Sequence, residues 1–279
     1  MRTESVVLAM KYHQFPPPPH LQDYIRYFWG LDSSEDTDAP VTFVTVVDGS
    51  PGIVFQQSSG GPSFQEGKAL PSVFMYGQST AHTRISSPAH FSTIGVYFYP
   101  HALKSVFGFD SNELTDGCLD LDEFLAGSRL LERLGNEESM AAKVNVLAEC
   151  LWEQASKRDN RLHAATQYAL QRLIQSQGSV SMKELHREIQ ISERTLERRF
   201  RESIGLSPML FARICRFQAS LNQLRSRSYD KLSDIAFEQE YADQSHFIRN
   251  FKEFTGFTPH KFYRNTLETV ENFPIEIHS

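Results

Sequence analysis

Two stretches in the second half of the chain carry nucleic-acid chemistry at helical spacing. Arg194, Glu197, Arg198 and Arg201 share one face in the first, and Gln244, Ser245, Arg249 and Lys252 share one in the second. Arginine bonds in pairs to guanine O6 and N7, glutamine does the same with adenine, and lysine or arginine neutralises phosphate. A single helix face of this kind is most often just solvated, with ordinary ion pairs. Two in register point instead to recognition of a patterned polyanion.

The register comes from a pseudo-repeat. Sliding the C-terminal half over itself by 51 positions places Leu196 on Phe247, Arg198 on Arg249, Phe200 on Phe251, Glu202 on Glu253, Gly205 on Gly256 and Pro208 on Pro259. Each copy reads as a helix with an apolar stripe at i and i+4, a glycine that ends it, and a Ser/Thr-Pro pair that starts the next helix. A shorter helix precedes each. Ser181-Met-Lys-Glu184 is a capping box that opens a helix through Ile189, and Ser192 caps the helix that follows. In the second copy Ser233 is expected to open a helix through Ala236, and Asp243 to cap its successor. Helix, tight turn, helix is the arrangement that places its second member in a major groove. Between the copies, Ser207-Pro208 to Arg225 predicts one helix of roughly 18 residues, about 27 Å long. That length suits two readers near successive major grooves, about 34 Å apart.

The charge supports the division. The chain has 279 residues and a net charge of −6, but residues 1–160 carry −9, residues 161–265 carry +6, and the last fourteen add three Glu. A basic half behind an acidic one suits a nucleic-acid module joined to something else. Hydrophobic residues at 40% and charged residues at 22% describe a folded chain rather than a disordered one. Cys118, Cys150 and Cys215 are too scattered for a disulfide framework or a metal knuckle and fit free thiols in a reducing compartment. No apolar run reaches membrane-spanning length and no leader is evident, so the expected location is the cytoplasm, with no membrane partner.

The first half reads as β-rich. Val41–Val47, a turn at Asp48-Gly49-Ser50-Pro51-Gly52, and Ile53–Phe55 predict a hairpin, while Val73–Tyr76 and Phe91–Tyr99 add strands of a small barrel or sandwich. Helices are expected over Ala102–Phe107, Leu121–Leu134 and Met140–Ala155. The run Pro16–Pro19 is an extended lead-in with no function assigned. Polar residues 156–161 mark the boundary.

The order Leu185…Ser192-Glu-Arg-Thr-Leu-Glu-Arg-Arg-Phe-Arg…Gly205-Leu-Ser-Pro208, then Ile235-Ala236…Gln244-Ser-His-Phe-Ile-Arg-Asn-Phe-Lys252…Gly256-Phe-Thr-Pro259, resembles the AraC/XylS family of bacterial transcription regulators over residues 162–265. The resemblance implies an α+β chain. Residues 1–155 would form a β-rich, cupin-like regulatory domain, 156–161 a linker, 162–265 a double helix-turn-helix domain, and 266–279 an acidic tail. It implies base-reading positions at Arg194, Glu197 and Arg198 in the first unit and at Gln244, Ser245, Ile248 and Arg249 in the second, with Arg201 and Lys252 completing the DNA-binding set. The implied partners are double-stranded DNA, RNA polymerase, a small-molecule effector and a second copy of the chain, with no cofactor. Two positions depart from the family pattern: His186 stands where Ala is usual, and Glu240 where the second turn usually has Gly.

Trp29, Phe43, Phe55, Tyr76, Phe91, Tyr97 and Tyr99 are candidates to line an effector pocket or to pack the core. His82, His90 and His101 have no metal-ligand spacing, and no nucleophile elbow, phosphate loop or HExxH helix is present. The alternatives are a metal-dependent cupin-like enzyme with an appended DNA-binding domain, a DNA-repair relative with a reactive cysteine, and a DNA-binding scaffold without ligand response.

Overall fold

The computed structural model describes residues 10–33, 39–158 and 162–276. It contains two six-stranded antiparallel sheets, and the first part of the chain supplies ten of their strands. The strands are β1 (Met10–Phe15), β2 (Ile25–Ser33), β3 (Val41–Thr45), β4 (Gly52–Ser58), β5 (Phe64–Gln65), β6 (Lys68–Ala69), β7 (Val73–Tyr76), β8 (Thr83–Ser87), β9 (Phe91–Phe98) and β10 (Cys118–Asp120). Three helices follow: α1 (Leu121–Phe124), α2 (Leu130–Asn136) and α3 (Met140–Ser156). The C-terminal half has α4 (Ala164–Gln175), α5 (Met182–Ile189), α6 (Glu193–Ile204), α7 (Pro208–Arg225), α8 (Leu232–Glu238), α9 (Gln244–Thr255) and α10 (Pro259–Asn265), and it ends in strands β11 (Thr266–Val270) and β12 (Phe273–Glu276).

One sheet runs β1-β2-β9-β4-β7-β10 and the other β11-β12-β3-β8-β5-β6. This corrects the hairpin expected around Asp48. β3 and β4 lie in different sheets, and the turn between them carries the chain across the sandwich. Asp48 Oδ1 accepts from the Ser50 amide at 2.7 Å, and Gly49 at φ 73 lets the backbone pass against Phe211 of α7. The place beside β3 that a hairpin partner would occupy is taken by β12, where Ile275 pairs with Phe43. Residues 266–276, read from the sequence as part of an acidic tail, therefore form a hairpin of the β sandwich, while 277–279 lie outside the described residues.

The predicted helix over Leu121–Leu134 is two helices. Asp120 caps the first, Leu125 ends it, and Arg129, at φ 51, precedes the second. Over the stretch Ala102–Phe107 there is a short helix at Leu103–Phe107, closed by left-handed Gly108. α3 buries Val144, Leu147 and Leu151 against the back of the first sheet, where Ile53, Phe55 and Val96 face it. Of the boundary segment, Ser156 still belongs to α3, Arg158 donates to the Val106 carbonyl, and 159–161 lie outside the described residues.

The helical half closes around Phe200, Phe211, Phe217, Phe247, Phe251 and Phe254, all at most 2% exposed. Val44, Val46 and Val47 of the β3 end belong to the same core, so the two halves share one apolar contact.

Candidate nucleic-acid interface

Each reading helix is built by local signals. Ser192 accepts from the Thr195 amide at 3.2 Å, and Asp243 from the His246 amide at 2.7 Å, so both helices start where their caps predict. Both end at a left-handed glycine, Gly205 at φ 90 and Gly256 at φ 79. The stripe of α6 (Leu196, Phe200, Ile204) and that of α9 (Phe247, Phe251, Phe254) are fully buried. This burial fixes which face is left outside.

The structure places Arg194, Arg198 and Arg201 on the exposed face of α6, with Glu197 half-buried beside them. Gln244, Ser245, Arg249 and Lys252 are exposed on α9, and Ile248 is half-buried and packs on the core. Of these three arginines, two are held by carboxylates one turn away: Arg198 donates to Glu202 at 2.7 Å and Arg201 to Glu197 at 2.9 Å. Such pairs contribute about 0.2–0.5 kcal/mol each, little enough for a phosphate or a base edge to displace them. Arg194, Arg249 and Lys252 make no ion pair among the described residues. Glu197, which the sequence puts among the base-reading positions, is thus engaged by Arg201 one turn on.

The shorter helices differ in their starts and turns. Ser181 caps α5 through the Glu184 amide at 3.1 Å. α8 begins one residue before Ser233, because Asp234 reaches back to the Lys231 amide at 2.7 Å, and this corrects the expected start. The first turn holds Gln190 at φ 57, two residues before its cap, and the second holds Glu240 at φ 53, three before its cap. The turns therefore differ by one residue although the following helices keep their offset. The left-handed Gln190 was not foreseen; Glu240 was marked by the family pattern. Glu240→Gly is expected to raise stability by about 0.5–1 kcal/mol, because relief of the left-handed strain outweighs the added freedom of the unfolded chain. Urea unfolding checks this; an unchanged or lower midpoint contradicts it.

α7 joins the units as the single helix predicted, capped by Ser207 with Pro208 in its first turn. Beneath it Ser220, Tyr241 and Asn250 form a buried chain of hydrogen bonds, 3.4 Å and then 3.0 Å, that ties α7, the second turn and α9 together.

The β sandwich grips both reading helices at their C-terminal ends. Ser111 donates to the Ser203 carbonyl at 3.0 Å and Thr115 to the Gly205 carbonyl at 2.7 Å. His82 Nδ1 lies 2.9 Å from the Glu253 carbonyl, with its ring against Gly256. A third tie is polar and central. Asn272, in the turn between β11 and β12, donates to Tyr97 Oη at 3.0 Å and to Asp48 at 3.3 Å, and its Oδ1 accepts from Arg225 of α7 at 3.1 Å. Tyr97 donates to Asp48, and Gln218 of α7 donates to the Val47 carbonyl at 2.7 Å.

Burial is the main cause that pushes the Asp48 carboxyl up from 3.8 to about 6, against the hydrogen bonds from Tyr97 and Ser50. Between about pH 4 and 6 the folded chain thus holds a proton that the unfolded chain has released. Stability is expected to fall as pH rises through that window. Asp48→Asn should remove this part of the slope, as measured by urea unfolding between pH 4 and 7; an identical slope in the variant contradicts the assignment.

Of the pocket candidates, Trp29, Phe43 and Phe91 line one cavity of about 50 Å³ between the sheets, and Tyr76 lines a neighbour of about 80 Å³. Phe55 faces the other core under α3, Tyr97 belongs to the Asp48 network, and Tyr99 is exposed and stacks on His101. These three do not share the pocket. Among the described residues no group of three His, Cys, Asp or Glu is placed to hold a metal. Burial raises the thiol pKa of Cys118, that of Cys150 to about 11 and that of Cys215 to about 12, so none is poised as a thiolate.

With this geometry in view, comparison with protein families matches residues 185–265 to a helix-turn-helix domain and residues 13–120 to a domain of unknown function (DUF6597). Residues 185–265 are an AraC-type helix-turn-helix domain. The chain is accordingly a DNA-binding transcription regulator. Comparison with curated proteins finds no match. Among solved structures, the chain is similar to ToxT from Vibrio cholerae O395 bound to (E)-4-(8-methylnaphthalen-1-yl)but-3-enoic acid, at 12% identity and a TM-score of 0.46, over 91% of this chain and 98% of that one. Unsaturated fatty acid bound wild-type ToxT from Vibrio cholerae strain SCE256 is similar at 11% identity and a TM-score of 0.45, over 91% and 94%. The C-terminal domain of AraT, a response regulator from Geobacillus stearothermophilus, is similar at 22% identity and a TM-score of 0.35, over 39% of this chain and 91% of that one. The AraC-type domain begins at α5 and takes in both reading helices and α10. Among the described residues no helix is long and apolar enough to cross a membrane.

Proposed function

We propose that the regulator reads a bipartite site on double-stranded DNA, one element per helix-turn-helix unit, and that the β sandwich sets how the two readers stand. Arg194, Glu197 and Arg198 face the bases of one element, and Gln244, Ser245, Ile248 and Arg249 those of the other. Arg201 and Lys252 lie where phosphates pass. Residues 1–155 form the regulatory part, 156–161 the linker and 162–265 the DNA-binding part, with residues 266–276 returning to the regulatory part. No step in this reading makes or breaks a covalent bond. The chain acts in the cytoplasm, on a promoter where RNA polymerase also binds, with a second copy of itself on adjacent DNA.

The observation that carries the reading is the pair of units whose buried stripes turn polar, arginine-bearing faces outward while the sandwich holds both C-terminal ends. An effector in the sandwich that favours one arrangement of these contacts shifts the population able to place both readers, and DNA then changes effector affinity by the same factor. Selection of genomic fragments by the purified full-length chain, followed by titration at two salt concentrations, tests this. Enrichment of a site with two short elements about one helical turn apart is expected. Salt-sensitive binding without any enrichment contradicts it.

A further inference from the structure

Lys143 is a buried cation without a counter-charge. It stands in the first turn of α3 and is only 7% exposed. Its ammonium donates to Gln57 Oε1 at 2.7 Å and lies 5.6 Å from the centre of the Phe55 ring. Among the described residues no carboxylate pairs with it, and its remaining N–H groups meet no acceptor. Lysine is rarely buried this far unless it is paired. Ser139 caps α3 through the Ala142 amide at 3.1 Å, so Lys143 also sits near the positive end of the helix dipole, the end that favours anions. Both circumstances call for negative charge.

The neutral partner of the lysine opens onto a groove. Gln57 and Phe55, the two side chains that Lys143 meets, line a space of about 550 Å³ together with Pro62 of the β4–β5 loop, Phe91, and Leu131 of α2. That volume falls within the roughly 300–1,000 Å³ of small-molecule sites. An ammonium only donates, so it fixes the Gln57 amide with its oxygen toward the lysine. The amide nitrogen makes no hydrogen bond among the described residues and remains available as a donor. Lys143 thus stands one side chain behind the groove wall.

No charged residue lines this groove. A second groove, of about 530 Å³, shares Gln57 but contains Asp32, which would repel an anion. Asp32 lies in the same row of the first sheet, two strands from Gln57 across Ser92, and makes no ion pair with Lys143. The uncharged groove is therefore the one suited to a negative ligand.

We propose that this groove binds an organic monocarboxylate with a small apolar body, its carboxylate accepting from Gln57 Nε2 in front of the charge of Lys143. One ammonium matches one negative charge, and Phe55, Pro62, Phe91 and Leu131 suit an apolar remainder. The site lies apart from the cavities between the sheets. It concerns binding alone and does not depend on the effector reading given above.

Calorimetry on the full-length chain with 3-phenylpropanoate as the probe tests the site. Binding is expected, with 3-phenylpropanamide, its uncharged counterpart, at least tenfold weaker and inorganic phosphate unable to displace it. Lys143→Met keeps the bulk of the stem and removes the charge. It should bind at least tenfold more weakly while its urea midpoint holds or rises, whereas a lysine that served stability alone would lower the midpoint when lost. Gln57→Glu supplies the lysine with a carboxylate from within the chain, and should likewise bind at least tenfold more weakly, with a raised midpoint. Failure of wild type to bind 3-phenylpropanoate, or undiminished binding in both variants, overturns the site. Equal affinity for the amide overturns the role of charge, and displacement by phosphate overturns the ligand class. Binding that also changes affinity for the selected DNA site supports both this groove and the effector reading; binding that leaves DNA affinity unchanged supports the groove and removes it from the effector's path.

Discussion

Phe251→Ala is expected to lower stability by about 3–5 kcal/mol, the range for deleting a fully buried phenylalanine. Phe251 is 0% exposed and lies at the hub of the second unit, 5.5 Å from Phe217 of the linker helix, 5.8 Å from Phe247 on its own helix and 5.6 Å from Phe262 of α10. The cavity cannot collapse cheaply, because its walls are the buried stripe of α9, the linker helix and the helix that leads into the hairpin. Loss of packing here should therefore reach the second reader and the sandwich together. Urea unfolding measures the loss. A drop below about 1 kcal/mol would show that the second unit is not organised around this residue.

Arg249→Ala should leave stability within about 0.5 kcal/mol, since its side chain is exposed and makes no ion pair among the described residues. Its cost should appear on DNA: about 1–3 kcal/mol on the selected site, with relaxed preference at one base position. Lys252→Ala, one residue-type and one function away, should weaken cognate and scrambled DNA alike and reduce the salt slope by about one charge. Titration of each variant on matched and scrambled duplexes separates the two. Equal losses on every sequence for Arg249→Ala would remove it from the base-reading set.

Much of the DNA-binding half was legible because its signals are local. Ser192, Ser207 and Asp243 cap helices within three residues, Gly205 and Gly256 end them, and the Leu/Phe stripes set the faces. Even so, the Asp234 cap displaced the expected start at Ser233, since a carboxylate in the first turn competed with the upstream serine. The charge pairing on α6 was legible as spacing alone, since Glu197 and Arg201 stand at i and i+4.

The regulatory half was less legible because its contacts are remote. Val41–Val47 and Ile53–Phe55 alternate like neighbouring strands, and nothing within that window says that the chain changes sheets at Asp48. The residue that completes the Asp48 site, Asn272, lies 224 positions away, and Glu271 reaches Tyr27 across 244. Three glutamates in the last fourteen residues read as a solvated tail. Two of them instead pair with Tyr27 and Arg84 of the sandwich. Aromatic content left pocket and core both open: Trp29, Phe43, Tyr76 and Phe91 line small cavities between the sheets whereas Phe55, Tyr97 and Tyr99 do not, and the difference was not legible because strand alternation assigns faces only once the sheet pairing is known.

The central claim is that both units read one duplex, held apart by α7. Insertion of five base pairs between the two elements of the selected site tests it most directly, because half a helical turn puts the second element on the opposite face of the duplex. The account predicts that affinity for the full-length chain falls at least tenfold, to the level of a site with one element scrambled. Undiminished affinity for the lengthened site would contradict it, and would mean that one unit reads the DNA while the other serves as packing.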